Sequence, residues 1–272
     1  MIARLAHSTP EATPIERHAQ EIIDAFCGGD DGRSVALVFS RDRLDGFGCR
    51  QHQPRPAASV IKIATVMALY DRAGEGNVDL DELVAIEKLG DTRYCSILKS
   101  FDPHRTLSVR EIAALSLITS DNPATQYVLS RTSKDDIEHV FKSCRCSSHA
   151  VMTAGFSEAE LGRPNRANVL TANDAVRLFA QLQSTSRYAP IVTFLENNLR
   201  NARIPALLDE DVVVAHKTGS LDGVVNDAGI VTRGATSFIV AFMCDRQTDP
   251  IATQNEIAAC ALALFEAIDR NG

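Results

Sequence analysis

Residues 211–244 read DVVVAHKTGSLDGVVNDAGIVTRGATSFIVAFMC. Three runs rich in β-branched residues, split by short turns, predict an antiparallel meander. The run VVVA shows no two-residue alternation, so the first strand reads as buried on both faces and emerging at Lys217. Lys217, Thr218, Gly219 and Ser220 are then expected along its exposed end. There Gly219 lets another backbone come close, and Lys217 supplies a cation for an anionic substrate.

Working outward, QNEIAACALALFEAID (254–269) predicts a closing helix. At the other end, IERHAQEIIDAF (15–26) has helical periodicity, and RSVALVFS and LDGFGCRQ read as two strands. Between Pro56 and about residue 200 the pattern is almost entirely helical. Strands at both ends with helices between predict an α/β fold of α+β sandwich type. One antiparallel sheet of about five strands, drawn from both chain ends, is covered by the terminal helices, and an all-helical domain is inserted. The expected division is a disordered lead at 1–14, a discontinuous α/β domain at 15–56 and 203–272, and a helical domain at 57–202. A cleft between such domains is a favoured place for a ligand.

The 272 residues suffice for a well-buried core, and 45% hydrophobic with 23% charged residues is ordinary for a globular chain. A formal net charge of -7 with no basic stripe argues against a nucleic-acid partner. No apolar run approaches the roughly 18 residues that span a bilayer. The first twenty residues lack an apolar core of signal-peptide length. The expectation is a cytoplasmic protein, or a periplasmic or secreted one if a signal has been removed. Seven cysteines form no regular framework, which favours a reducing compartment. CRCSSH (144–149) has the look of half a metal site without a second cluster, so neither metal nor cofactor is expected.

Chemistry concentrates in three short motifs. In PAASVIKIATVMALYDRAG (56–74), Ser59 and Lys62 are three apart and share a helix face. With Pro54 and Pro56 upstream, the helix is expected to begin near Ala57, placing Ser59 in its first turn. Two readings stand: the helix dipole and burial disfavour a charged Lys62, leaving an amine that accepts the Ser59 proton, or the serine is incidental and the lysine snorkels to solvent. In LSLITSDNPATQYVL (115–129), a helix ends near Thr119 and another starts at Pro123. The turn between them either caps the second helix through Asp121 or Asn122 or presents the Ser120 hydroxyl and the Asn122 amide to a ligand. The third motif is Lys217-Thr218-Gly219 on the strand quoted above.

S-x-x-K, S-D-N and K-T-G in that order resemble the class A serine β-lactamase superfamily, which includes relatives of penicillin-binding proteins. RIPALL (203–208) and HKTGSLDGVVNDAGIV (216–231) support the resemblance, which covers about residue 15 to the C-terminus. It implies Ser59 as the acylated nucleophile, Lys62 as its activating amine and Ser120 as the proton shuttle to the leaving nitrogen. It implies Asn122 as a side-chain-amide ligand, Lys217, Thr218 and Gly219 as the carboxylate-binding edge, and the backbone N–H groups of Ser59 and Ser220 as the oxyanion hole. The implied partner is a small molecule with an acyl or β-lactam amide and a carboxylate; oligomeric state is left open.

The match frays at the deacylation loop, TAGFSEAELGRPNRANVLTANDA (153–175). Glu158 with Leu161 fits the family's E-x-x-L, Gly162 stands where an asparagine belongs, and Phe156 replaces the usual arginine. Glu160 is the alternative base. Val225 stands where many members carry a substrate-binding arginine, and Arg203 falls where others place a substitute. Val66 and Ala113 occupy the positions of some members' disulfide. The resemblance implies a β-lactam-opening serine hydrolase. An esterase, amidase or transacylase on the same scaffold, and a permanently acylated sensor, are the competing readings.

Overall fold

In the computed structural model, which describes residues 12–39, 46–90, 96–153, 155 and 168–270, the strands alternate between two apolar clusters. Strand β9 (Thr236–Cys244) sends Phe238, Val240, Phe242 and Cys244 to one and Ile239, Ala241 and Met243 to the other. Strand β1 (Arg33–Val38) divides Val35 and Leu37 from Ala36 and Val38 in the same way. The alternation is the ordinary strand period of two. It is invisible in the sequence because both faces are covered and both residue sets are apolar.

With β2 (Phe47–Cys49), β7 (Val213–Leu221) and β8 (Val224–Arg233), these strands form a five-stranded antiparallel sheet in the order β2-β1-β9-β8-β7. The chain ends therefore build one sheet. One face is closed by α1 (Pro14–Cys27) and α8 (Pro250–Asp269), through Ile23 and Phe26 on the first and Ile257, Leu264 and Phe265 on the second. Thr13 and Glu16 make a capping box that starts α1, with Pro14 at its first position.

By length and a hydropathy of 1.2, α8 is apolar enough to cross a bilayer, which the sequence reading did not expect. The helix begins at Pro250, four residues earlier than expected, and half of the apolar window is buried inside the fold.

The other face of the sheet receives the second cluster. Its central member is α2 (Lys62–Gly74), in which every residue from Lys62 to Tyr70 is buried. Around it lie α3 (Val109–Ile118), α4 (Asn122–Ser130), α5 (Lys134–Ser143), α6 (Ala172–Ser184) and α7 (Ala189–Glu196). Val176 and Phe179 of α6 belong to this cluster together with Ala228, Ile239 and Ala241 of the sheet.

Two small ribbons interrupt the expected helical stretch. Strand β3 (Arg55–Pro56) pairs with β6 (Val169–Leu170), and β4 (Leu83–Ala85) with β5 (Thr106–Ser108). Pairings of two or three residues are too short to leave a periodic signal. The first ribbon matters, because it sets the chain immediately before Ser59.

Candidate active site

Ser59 lies in a 3₁₀ turn, Ala58–Ile61, that runs directly into α2, so Lys62 is the first α-helical residue. Ala58 has φ of 48°. A non-glycine residue held in this left-handed region costs of order 1–3 kcal/mol, and such outliers cluster at functional sites. The surrounding bonds maintain it. The Ala57 N–H donates to the Asn168 carbonyl at 2.8 Å. Asn226 Nδ2 donates to the carbonyls of Pro56 at 2.8 Å and Ala57 at 3.3 Å, while its Oδ1 accepts from the Cys244 N–H at 2.9 Å. One buried amide thus ties the Ser59 turn to two strands.

Strand β7 passes the same turn at close range. A Cβ on Gly219 would lie 2.9 Å from the Ala57 oxygen and 3.1 Å from both Ala58 Cβ and Val60 Cγ2. Backbone would have to move for any side chain here. Gly219 is needed for close approach, and that approach brings Lys217 and Ser220 to the Ser59 side.

From the helical side comes the turn between α3 and α4. Ser120 has φ of 59°, and Asp121 is the N-cap of α4, accepting from the Ala124 N–H at 2.9 Å. The helix therefore starts at Asn122, one residue before the expected Pro123. Asp121 Oδ2 also accepts from Ser96 Oγ at 2.6 Å and from the Ile97 N–H at 3.2 Å. The capping carboxylate thus holds a neighbouring loop and the turn together.

Lys62 is fully buried and reaches this turn. Its Nζ donates to the Ser120 carbonyl at 2.7 Å, to Asn122 Oδ1 at 2.7 Å and to Ser120 Oγ at 3.4 Å. Burial pulls its pKa well below the ordinary lysine value, and the positive charges of Lys217 and Arg200 pull the same way against Asp121.

Lys217 is also fully buried, contrary to the expected exposed strand end. Thr218 and Gly219 are buried with it and Ser220 alone of the four is exposed, because the Ser59 turn covers this end of β7. The Lys217 Nζ donates to the Thr218 carbonyl at 2.9 Å. Burial, followed by the charges of Arg200 and Arg203 and opposed by Asp227, pulls its pKa down to about 7. Beneath it, His216 Nδ1 lies 2.9 and 3.1 Å from the two Asp227 carboxylate oxygens, and its Nε2 lies 3.0 Å from Asn201 Oδ1. Asn198 Nδ2 donates to the His216 carbonyl at 2.8 Å.

Arg203 is buried against the same strand pair. It donates to the Gly219 carbonyl at 3.0 Å, to the Asn226 carbonyl, and to Ser220 Oγ at 2.6 Å. Its guanidinium thus organises the strand end next to Ser59.

Ser59, Lys62, Ser120, Asn122, Lys217, Thr218, Gly219, Ser220 and Arg203 are brought to one place by these contacts. Phe156, Glu158, Glu160, Leu161 and Gly162 lie outside the described residues. The chain on either side of that segment is fixed beside the site: Thr153 N–H donates to Asn168 Oδ1 at 2.9 Å, and Val151 pairs with Val169. Of the CRCSSH stretch, Cys144 is buried and His149 is exposed. Among the described residues no group of three or more His, Cys, Asp or Glu is placed to hold a metal. Val66 and Ala113 are both core residues.

Sequence reasoning missed Asn226, the His216–Asp227 pair and Arg200. For the first three a signal was present: His216, Asn226 and Asp227 interrupt apolar strand runs, and a polar side chain buried in such a run requires a partner. Arg200 carried no local mark.

The family model described as the beta-lactamase enzyme family matches residues 14–268. The chain belongs to this family. It is a β-lactamase-like hydrolase, and its fold is that of solved class A β-lactamases. A β-lactamase of Phocaeicola vulgatus is 26% identical over 87% of this chain and 75% of its own length. A structure described as representative of class A β-lactamase, from Bacteroides cellulosilyticus, superposes with a TM-score of 0.81 over 96% of this chain and 100% of that one, at 19% identity. A structure of PBP-A has a TM-score of 0.79 at 22% identity, covering 97% of this chain and 100% of its own. A substituted form of PBP-A has been solved as an acyl-enzyme complex with penicillin G.

Proposed function

We propose that this chain opens β-lactam amides through an acyl-enzyme on Ser59. The observation that carries the reading is Lys62, a buried amine with a depressed pKa, held at the Ser120–Asn122 turn on the first residue after the Ser59 turn. A neutral amine has two N–H groups and one lone pair. Short bonds to the Ser120 carbonyl and Asn122 Oδ1 occupy the N–H groups, and the lone pair takes the proton of the Ser59 hydroxyl as its oxygen attacks the substrate carbonyl.

The oxyanion formed is met by the backbone N–H groups of Ser59 and Ser220, an arrangement worth roughly 3 kcal/mol or more in related chemistry. The carbon–nitrogen bond then breaks, and Ser120 Oγ, 3.4 Å from Lys62 Nζ, passes the proton from that amine to the leaving nitrogen. Water next attacks the Ser59 ester with Glu158 as base, releasing the acid and restoring Ser59. Lys217, Thr218 and Arg203 hold the substrate carboxylate from the sheet side. Residues 15–56 with 203–272 form one wall of the cleft in this reading, and residues 57–202 the other.

Gly162 in place of asparagine and Phe156 in place of arginine favour a second reading at the deacylation step, an esterase or transacylase acting on other acyl groups. Turnover of a chromogenic cephalosporin and of a p-nitrophenyl ester separates the two. The β-lactam reading expects cephalosporin hydrolysis with a burst and a slow steady state, because a poorly oriented water costs about 10²-fold. Glu158→Gln is expected to suppress the steady state far more than the burst. Turnover of the ester alone contradicts the β-lactam reading and favours the second.

A further inference from the structure

Arg203, the arginine that sequence position nominates as the anion anchor, directs three of its five N–H donors into the protein, to two backbone carbonyls and to Ser220 Oγ. Arg200, three residues earlier, is exposed. Its backbone is pinned between the two walls. The Leu199 N–H donates to the Ile118 carbonyl at 3.1 Å, at the end of α3. The Arg200 N–H donates to Asn198 Oδ1 at 2.9 Å, and Asn198 Nδ2 in turn holds the carbonyl of His216, the residue before Lys217.

The Arg200 guanidinium reaches the turn between α3 and α4. There Nε and Nη2 each lie 3.4 Å from the carbonyl of Thr119, the residue before Ser120. These are long bonds, and a guanidinium carries five N–H donors. Nη1 has no hydrogen-bond partner among the described residues. The group therefore sits at the rim between Ser120 and Lys217, with donors available for a planar, bidentate contact.

The charges around it are only partly compensated. Lys217 has the Thr218 carbonyl as its hydrogen-bond partner, and Asp227, the carboxylate beneath, is already engaged by His216 and the Ile204 N–H. Arg200 adds its charge at both lysines. A chain with a net charge of -7 has thus gathered Lys217, Arg203 and Arg200 at one edge of its cleft, where they focus an anionic ligand.

We infer that Arg200 is a specificity-determining residue that takes the carboxylate of the substrate at the cleft rim, outside the position held by Lys217 and Arg203. The inference rests on the serine-hydrolase reading of the site and adds a residue to its substrate contacts.

The competing account makes Arg200 a tie on the C-terminal carbonyls of α3, a favourable place for any cation. The two accounts separate on the ratio of kcat/KM for a chromogenic cephalosporin to that for its carboxyl methyl ester. In Arg200→Ala this ratio is expected to fall about 10-fold, the effect of losing one charged hydrogen bond, chiefly through KM for the free acid, and its salt dependence is expected to flatten. Arg200→Lys should restore part of the ratio. Thermal melts of each variant check that the fold is kept. An unchanged ratio, or an equal loss on acid and ester, overturns the assignment and leaves Arg200 a structural tie.

If the wild type opens neither cephalosporin, the β-lactam reading fails separately. The ratio is then read on p-nitrophenyl hydrogen succinate against its methyl ester, with the same two outcomes. Should neither pair turn over, calorimetric binding of m-carboxyphenylboronic acid against phenylboronic acid supplies it. Equal weakening of both boronic acids, or binding of neither, overturns the inference.

Discussion

Two buried lysines face the site from opposite walls, and their surroundings differ. Lys62 enters from the helical side with its Nζ at 2.7 Å from two oxygens and 3.4 Å from a third, all on the Ser120–Asn122 turn. Lys217 enters from the sheet with the neighbouring Thr218 carbonyl as its partner. Both lose basicity chiefly to burial, and each also feels the positive charge of Arg200. The first amine is fixed in direction, as a group that must accept a proton along one line requires. The second is a charge that fold stability alone would not place there, since a buried cation is costly and the nearby Asp227 is shared with His216. In the proposed mechanism Lys62 serves geometry and Lys217 serves charge, with the substrate anion completing the environment of the second.

The largest effect is expected at Lys62. Lys62→Ala is expected to lose at least 10²-fold in kcat/KM on charged and neutral substrates alike, the low end of general-base contributions. Steady-state kinetics on an anionic β-lactam and a neutral ester check it. A loss confined to the anionic substrate would make Lys62 a second charge and collapse the distinction.

Lys217 should give a smaller and selective effect. Lys217→Met is expected to cost about 10-fold or more in kcat/KM on anionic substrates. On a neutral ester the acid limb of the pH profile should move to higher pH, because the charge that helps depress Lys62 is gone. Lys217→Arg, which keeps the charge, should shift the limb less.

Stability should change in the opposite sense. The folded pKa of about 7 lies below the ordinary 10.5, so the unfolded chain binds more protons between these values and this group's contribution to stability rises with pH across that window. Lys217→Met is accordingly expected to raise Tm by about 2–8 °C at pH 7, with the gain shrinking toward pH 10. A destabilised variant with a pH-independent difference would contradict the picture of a buried, poorly compensated cation.

Much of this was legible in the chain. The sheet from both ends, the covering helices and the S-x-x-K, S-D-N and K-T-G segments are local patterns, and spacing along the chain encodes local structure directly. What stayed hidden depends on contacts across long separations. Lys217 reads as a strand-end residue, yet it is buried on a strand against which the Ser59 turn packs at Gly219, from about 160 residues upstream. Nothing near Arg200 announces that Thr119 lies under its guanidinium. Arg203 stood out by its position relative to Lys217, while its bonds to Gly219, Asn226 and Ser220 emerge only from the folded strand pair. The ribbon of Arg55–Pro56 with Val169–Leu170 is too short for any periodic reading, yet it sets the entry to the Ser59 turn.

Rapid-quench mass spectrometry with peptide mapping reads directly whether the Ser59 oxygen carries the acyl group. Wild type and Glu158→Gln are mixed with benzylpenicillin, quenched in acid and digested. The account predicts one adduct of intact penicillin mass per chain, located on the peptide that contains Ser59. It should be transient in the wild type, near stoichiometric in Glu158→Gln and absent in Ser59→Ala, whose melt should match that of the wild type. An adduct on another residue, or penicillin turnover by Ser59→Ala within 10-fold of the wild type, would contradict it.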